Sequence, residues 1–167
     1  MHEMELIGVR VEMPTNAPMV LLRERGGNGR TVPIYIGAPE ATAIALALDG
    51  VDTPRPMTHD LLRDILEELA VDVERIVVTD LHDKTFFAEI HMRRDGEPHV
   101  VSSRPSDAIA LAARTGTPIF ASEVVVEEVG FTESDADDSD DDGPPSEEVV
   151  EEFKEFLDNI TPEDFED

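Results

Sequence analysis

Two short segments carry the residue types that could do chemistry. Pro54-Arg55-Pro56-Met57-Thr58-His59-Asp60 and Arg104-Pro105-Ser106-Asp107 each set an Arg beside a Pro, followed by a hydroxyl residue and an Asp. A hydrophobic core has no use for that combination. Arginine offers a fork of N–H groups that grips a phosphate or carboxylate through two bonds. Helical periodicity follows both segments, so each stands at the mouth of a helix. Unpaired backbone N–H groups and a partial positive charge favour anions there. Arg55, Arg104, Thr58 and Ser106 are therefore the candidate substrate-binding residues. His59, Asp60 and Asp107 are the candidate catalytic groups. Asp80, Asp83 and Glu40 are the candidate metal ligands, because two or three converging carboxylates can hold Mg2+ or Mn2+ and activate a water.

Each of these residues also has a plain structural use. Asp60, Asp107 and Glu40 fall in the first turns of helices, where an acid favours the helix dipole by about 0.3–1 kcal/mol. Asp80 and Asp83 flank a turn, where Asp is common for backbone reasons. An Arg can pair with a neighbouring Asp to fix a loop, and His59 can be satisfied by a backbone carbonyl. The chain has no Cys, which excludes disulfides, zinc–thiolate sites and thiol nucleophiles. It has no His-x-x-x-His spacing, which argues against zinc. Gly37-Ala38-Pro39-Glu40 lacks the glycine run and the lysine of a phosphate-binding loop.

The elements that must position these groups follow from periodicity. Alternation from Met4 to Met13 predicts a strand, with further strands at Met19–Glu24 and Thr31–Ile36 around a Gly26-Gly27-Asn28-Gly29 turn. Pro33 suggests that the third strand lies at an edge. Helices are predicted from Pro39 to Leu48 and from a Thr58 cap to about Ala70. A second meander is predicted over Val73–Leu81, Thr85–Met92 and His99–Ser102, with turns at His82-Asp83-Lys84 and Asp95-Gly96. A helix over Pro105–Arg114 follows, then a last strand over Pro118–Val126. Ala43-Ile44-Ala45-Leu46-Ala47 recurs as Ala108-Ile109-Ala110-Leu111-Ala112, each copy after a meander. The favoured explanation is two small-residue helices packing closely on one sheet; duplication is the alternative. The pattern describes an α+β fold: a mixed or antiparallel sheet built from meanders, about three packed helices, and a C-terminal helix after an acidic linker.

Charge divides the chain. Of its 167 residues, 39 are acidic and 13 are Lys or Arg, for a net charge of −26. From Phe131 onward there are 17 acids against Lys154 alone, a balance of −16; residues 1–130 carry the remaining −10. The domain assignment is 1–130 for the folded domain, 131–146 for a disordered acidic linker and 147–167 for an amphipathic helix and tail. That helix, with Val149, Val150, Phe153, Phe156 and Leu157 on one stripe, calls for a partner surface. The tail's charge could also mimic nucleic acid and cover an Arg pocket. Phosphate binders usually show a basic face, so this protein would grip a polyanion only through a local Arg cluster or a bridging metal. No apolar run approaches the roughly 20 residues of a membrane helix, and no signal pattern opens the chain. The expectation is a cytoplasmic protein without membrane contact.

The residues Pro33-Ile34-Tyr35-Ile36-Gly37, Glu40-Ala41, Pro54 to Leu62, Asp80-Leu81, Phe86-Phe87-Ala88 and Arg104 to Ala112 resemble the bifunctional nuclease domain family. The resemblance covers roughly residues 4–130, and the acidic tail resembles one carried by actinobacterial relatives. It implies an α/β or α+β domain, self-association into a homo-oligomer, and nuclease activity on RNA and DNA. The chemistry of the residues then suggests hydrolysis with a divalent metal. The rival reading is a non-enzymatic homo-oligomeric binding or regulatory module with an Arg-Pro anion pocket, the C-terminal helix serving a protein partner.

Overall fold

The computed structural model describes residues 1–132. Strands β1 (His2–Glu12), β2 (Ala17–Glu24) and β3 (Thr31–Tyr35) form one antiparallel meander. Strands β4 (Asp72–His82), β5 (Thr85–Arg94) and β6 (Glu97–Ser103) form a second. The three-residue strand β7 (Ile119–Ala121) joins them: it runs antiparallel to β1 at His2–Met4 and parallel to β4 at Ile76–Val78. The result is one mixed sheet of seven strands in the order β3-β2-β1-β7-β4-β5-β6. Pro33 lies on edge strand β3, where a residue without an N–H costs the ladder least.

Helices α1 (Ala38–Leu48) and α3 (Pro105–Thr115) each follow a meander and pack against one another, while α2 (Thr58–Glu68) packs on α3. Helix α3 is the centre of the fold. Ala108, Ile109, Ala110 and Leu111 are fully buried, and Pro105, Ser106 and Ala112 nearly so. Its small residues let α1 come close, and Ile44 of α1 is fully buried in the shared core. The repeated Ala-Ile-Ala-Leu-Ala therefore has a packing cause. Helix α2 is amphipathic, but its apolar stripe is only partly covered: Leu62 and Leu66 pack on the core while Leu61, Ile65 and Leu69 are exposed.

Two predicted details differ. The last strand does not run to Val126: it ends at Ala121, and Ser122 caps a short helix α4 (Glu123–Val129), its hydroxyl accepting the Val125 N–H at 3.3 Å. The cap and an acidic first turn outweigh the strand preference of Val124-Val125-Val126, and the helix buries Val125 and Val126. Met57, not Thr58, occupies the N-cap of α2; Asp60, at the third helical position, reaches back and accepts the Met57 N–H at 2.9 Å.

After α4, Phe131 bridges back to Thr31 on β3. The acidic linker and C-terminal helix lie, from residue 133, outside the described residues. A buried carboxylate on β2, Glu24, is held by His2 at 2.6 Å and Arg30 at 3.3 Å. Burial pushes its carboxyl up, but Arg30 and His2 outweigh burial and hold it below its usual value. Across the β5–β6 hairpin, His91 lies opposite Val100 and is bonded to Glu89 at 3.0 Å, and His99 lies opposite Met92. No described helix is long and apolar enough to cross a membrane.

Because α3 is enclosed on several sides, truncation there leaves a cavity that cannot collapse. Ile109→Ala and Leu111→Ala are each expected to lower the stability of the domain by about 2–5 kcal/mol, read as a fall in the urea midpoint at unchanged slope. The same truncation at exposed Ile65 on α2 should cost much less.

Candidate functional site

Arg104 takes the N-cap position of α3, and Asp107 lies in the first turn one step away. The Asp107 carboxylate receives both arms of the Arg104 guanidinium, Nε to Oδ2 at 2.6 Å and Nη2 to Oδ1 at 2.9 Å. A third arm, Nη1, lies 3.1 Å from the Glu40 carboxylate in the first turn of α1. Gly37 makes that approach possible: a Cβ there would stand 2.2 Å from Glu40 Oε2. Helix α2 adds His59, whose Nε2 is 3.1 Å from Asp107 Oδ1. Three helix N-termini thus converge on one carboxylate and one guanidinium.

The protonation pattern follows from the partners. The Arg104 hydrogen bonds hold the Asp107 carboxyl below its usual range, with help from His59 and against the effect of partial burial. An ionised carboxylate can only accept, so the ring nitrogen facing it, Nε2, carries the hydrogen. In the neutral ring, Nδ1 then keeps its lone pair. The His59 side chain is only 12 % exposed, so this orientation is held by packing as well as by Asp107. A fixed imidazole with one nitrogen tied to a carboxylate and a free basic nitrogen is equipped to take a proton.

A second tie docks α2 on α3. Arg114, in the last turn of α3, is 5 % exposed and donates its Nε to Asp60 Oδ1 at 2.5 Å and its Nη1 to the Ala110 carbonyl at 2.8 Å. The Arg114 hydrogen bond holds the Asp60 carboxyl below its usual range; burial opposes this, and the Met57 N–H assists it.

His59, Asp107, Arg104, Glu40 and Thr58 line a cavity of about 340 Å³ with Ala43 and Leu46. The structure therefore gathers five predicted residues at one place. Asp60 is adjacent but spent on Arg114. Ser106 lies on the far side of Arg104, lining a neighbouring cavity. Arg55 is outside the cavity lining: it is exposed, and its carbonyl accepts the Thr53 hydroxyl at 2.6 Å. The two Arg-Pro segments do not form a matched pair.

The expected metal set is not assembled among the described residues. Glu40 reaches the cavity but is paired with Arg104. Asp80 is bonded to His82 at 2.8 Å and to the Leu81 N–H, and Asp83 occupies a hairpin turn at φ +48°. No group of three or more His, Asp or Glu is placed to hold an ion among the described residues. Arg114, which the sequence reading passed over, also lines the cavity; its signal was a lone basic residue on the small-residue helix α3.

Comparison with known proteins agrees with this architecture. A family model, the bifunctional nuclease domain, matches residues 20–134. An uncharacterised protein of Mycobacterium tuberculosis is 44 % identical over 165 residues, covering 99 % of this chain and 98 % of its own length. Bifunctional nuclease 2 of Arabidopsis thaliana is 28 % identical over 64 % of this chain, and bifunctional nuclease 1 of the same plant is 26 % identical over 61 %. The matched stretches make up 34 % and 32 % of the plant proteins, so this chain spans about a third of their length. The chain belongs to the bifunctional nuclease domain family.

The two depressed carboxyls set an acid limit on the α2–α3 docking. Each titrates lower in the folded than in the unfolded chain, so the unfolded chain takes up protons first as pH falls. Their stabilisation is complete above about pH 5 and is lost as pH falls through 4 toward the folded values. Asp60→Asn should flatten that acid limb in urea titrations between neutral and acid pH. Arg114→Met leaves Asp60 unpaired and should destabilise the fold by about 3 kcal/mol at neutral pH.

Proposed function

We propose that the domain hydrolyses phosphodiester bonds in RNA and DNA, with His59 as general base, Asp107 as its orienting partner and Arg104 as the phosphate contact. The observation that carries this reading is the His59–Asp107 pair opening on a cavity whose rim is Arg104. A phosphodiester held by Arg104 would share the cavity with His59. As the water oxygen bonds to phosphorus and the P–O bond to the leaving oxygen breaks, His59 Nδ1 takes the water's proton, the Asp107 carboxylate stabilises the imidazolium that forms, and that proton then passes through solvent to the leaving oxygen. Arg104 donates to the phosphoryl oxygens as their charge rises. The side chain of Arg104 is 65 % exposed, so it can turn from Glu40 toward a ligand. Glu40 competes with the phosphate for the same guanidinium. The plant relatives' names, bifunctional nuclease 1 and 2, support the class of reaction.

The carboxylates at the cavity are committed to Arg104 and do not fit a metal site built by protein alone, so no step is assigned to Mg2+ or Mn2+. The dependence on these ions is left to the assay. A non-enzymatic anion-binding module, self-associated in the cytoplasm, is the second reading; it is favoured by the balance of −10 on residues 1–130, which discourages turnover of a polyanion.

Wild type, His59→Ala, Asp107→Asn and Glu40→Gln, purified side by side, are to be assayed on RNA and single-stranded DNA with Mg2+, with Mn2+ and with chelator. Loss of the base should lower kcat by roughly 10²–10⁴. Glu40→Gln should tighten substrate binding by freeing Arg104. Wild-type rates in His59→Ala protein would overturn the reading. Tight anion binding with no turnover in any condition would select the module.

A further inference from the structure

The sheet has two edges, and only one of them is closed. Along an antiparallel ladder every second residue turns its N–H and C=O away from the neighbouring strand. On edge strand β3 the outward residues are Thr31, Pro33 and Tyr35. Thr31 exchanges two bonds with Phe131: its N–H donates at 2.7 Å and its carbonyl accepts at 3.0 Å. Pro33 has no N–H to offer. On edge strand β6 the two-residue Asp95-Gly96 turn makes Arg94 and Glu97 a hydrogen-bonded pair, and Met92–His99 and Ile90–Val101 follow by alternation. The outward residues of β6 are then Pro98, Val100 and Ser102. The N–H and C=O groups of Val100 and Ser102 meet no other backbone group among the described residues.

An open edge is a template for another strand, and proteins blunt it with lysine, proline, a bulge or a covering element. Strand β6 has no lysine, keeps an unbroken register with β5 over its 7 residues, and exposes all of them but Ser103. Pro98 guards one end only. Val100 and Val101 point to opposite faces and are 52 % and 49 % exposed, so apolar surface flanks the edge on both sides. Charge does not keep a second strand away either. Residues 85–104 set Glu89, Asp95 and Glu97 against Arg93, Arg94 and Arg104, a neutral stretch in a domain that carries −10.

We propose that β6 pairs antiparallel with β6 of a second copy of this chain, across a twofold axis at Val101. The strand is complementary to itself in that register. With Val101 on the axis, Val100 of each copy lies opposite Ser102 of the other, and every N–H and C=O of these residues finds a partner. With Val100 on the axis, Pro98 would oppose Ser102 and leave the Ser102 carbonyl unpaired. On the core face, the row Ile76, Ile90 and Val101 continues across the axis into Val101 of the second copy. The antiparallel direction also sets the second copy's β5–β6 turn beside the end of β6 that leads into Arg104. A single strand pair is small beside the roughly 1,200–2,000 Å² of stable interfaces, so association is weak and depends on concentration. The pairing goes beyond the chemistry at His59 and does not depend on it.

The test is sedimentation velocity on the full chain from micromolar to millimolar concentration, at low and moderate salt. Wild type should pass from monomer to dimer as concentration rises, and more readily with salt, which screens the −26 on each copy. Val100→Pro removes an outward donor and no bond to β5, so the fold is kept while association weakens roughly tenfold. Val101→Lys sets like charges on the axis and should act the same way, and mixing it with Val101→Glu protein should restore the dimer. The chain has no cysteine, so single cysteines read the register directly. In Val101→Cys protein the two Cα atoms on the axis lie about 4.5 Å apart, a span that a disulfide bridges once oxidised glutathione is added. Val100→Cys protein, displaced from the axis, should stay uncrosslinked. Val101→Cys is close in size to the native residue and decides the matter even if the proline variant fails to fold. A wild type that stays monomeric at millimolar concentration, or a dimer that survives both Val100→Pro and Val101→Lys, would overturn the pairing. Crosslinking of Val100→Cys in place of Val101→Cys would overturn the register.

Discussion

The burial of α3 is the constraint on which the rest depends. A helix enclosed by the sheet, α1 and α2 can carry little but small and branched apolar residues along its length. Its ends still hold backbone groups and charged side chains that need partners. Arg104, Asp107 and Arg114 stand at those ends, and their partners come from the neighbouring helices: Glu40 from α1, His59 and Asp60 from α2. The packing that buries the helix is thus the same arrangement that brings an imidazole to a carboxylate.

That coupling explains why the structural and chemical uses of these residues are not alternatives. Asp107 stabilises the helix N-terminus, anchors Arg104 and orients His59 with two oxygens. Each role supports the others, since an ionised carboxylate serves all three. The arrangement also suits an acidic domain. Arg104, 65 % exposed, has its charge balanced by Glu40 and Asp107.

Much of the fold was legible because local patterns dictate it. The two meanders, the Ala-rich helices and the edge position of Pro33 follow from period, turn residues and proline geometry. Helix α4 was not read: Val124-Val125-Val126 reads as strand, whereas the Ser122 cap, the acidic first turn and the contacts with β3 and β4 together favour a helix there. The cap of α2 was misplaced by one residue: the helix starts at Thr58, and Asp60 reaches back to the N–H of Met57, which takes the N-cap. Within the site, His59, Asp107, Arg104 and Glu40 were identified by type and by their place at helix mouths. Arg55 shares the motif of Arg104 but not its surroundings, since no buried helix follows it: α2 has no buried residue, whereas α3 has seven.

The sequence by itself determined the residue types, the elements that carry them and the charge imbalance, because these depend on neighbours a few positions away. It also carried the family resemblance that the comparisons bear out. Tertiary structure alone decided which groups meet. His59 and Asp107 are 48 residues apart, and Asp60 and Arg114 are 54 apart, and no local rule brings them together. It likewise separated Asp80 and Asp83 from the cavity. Contact between distant residues is set by how buried faces stack, and stacking is a property of the whole core.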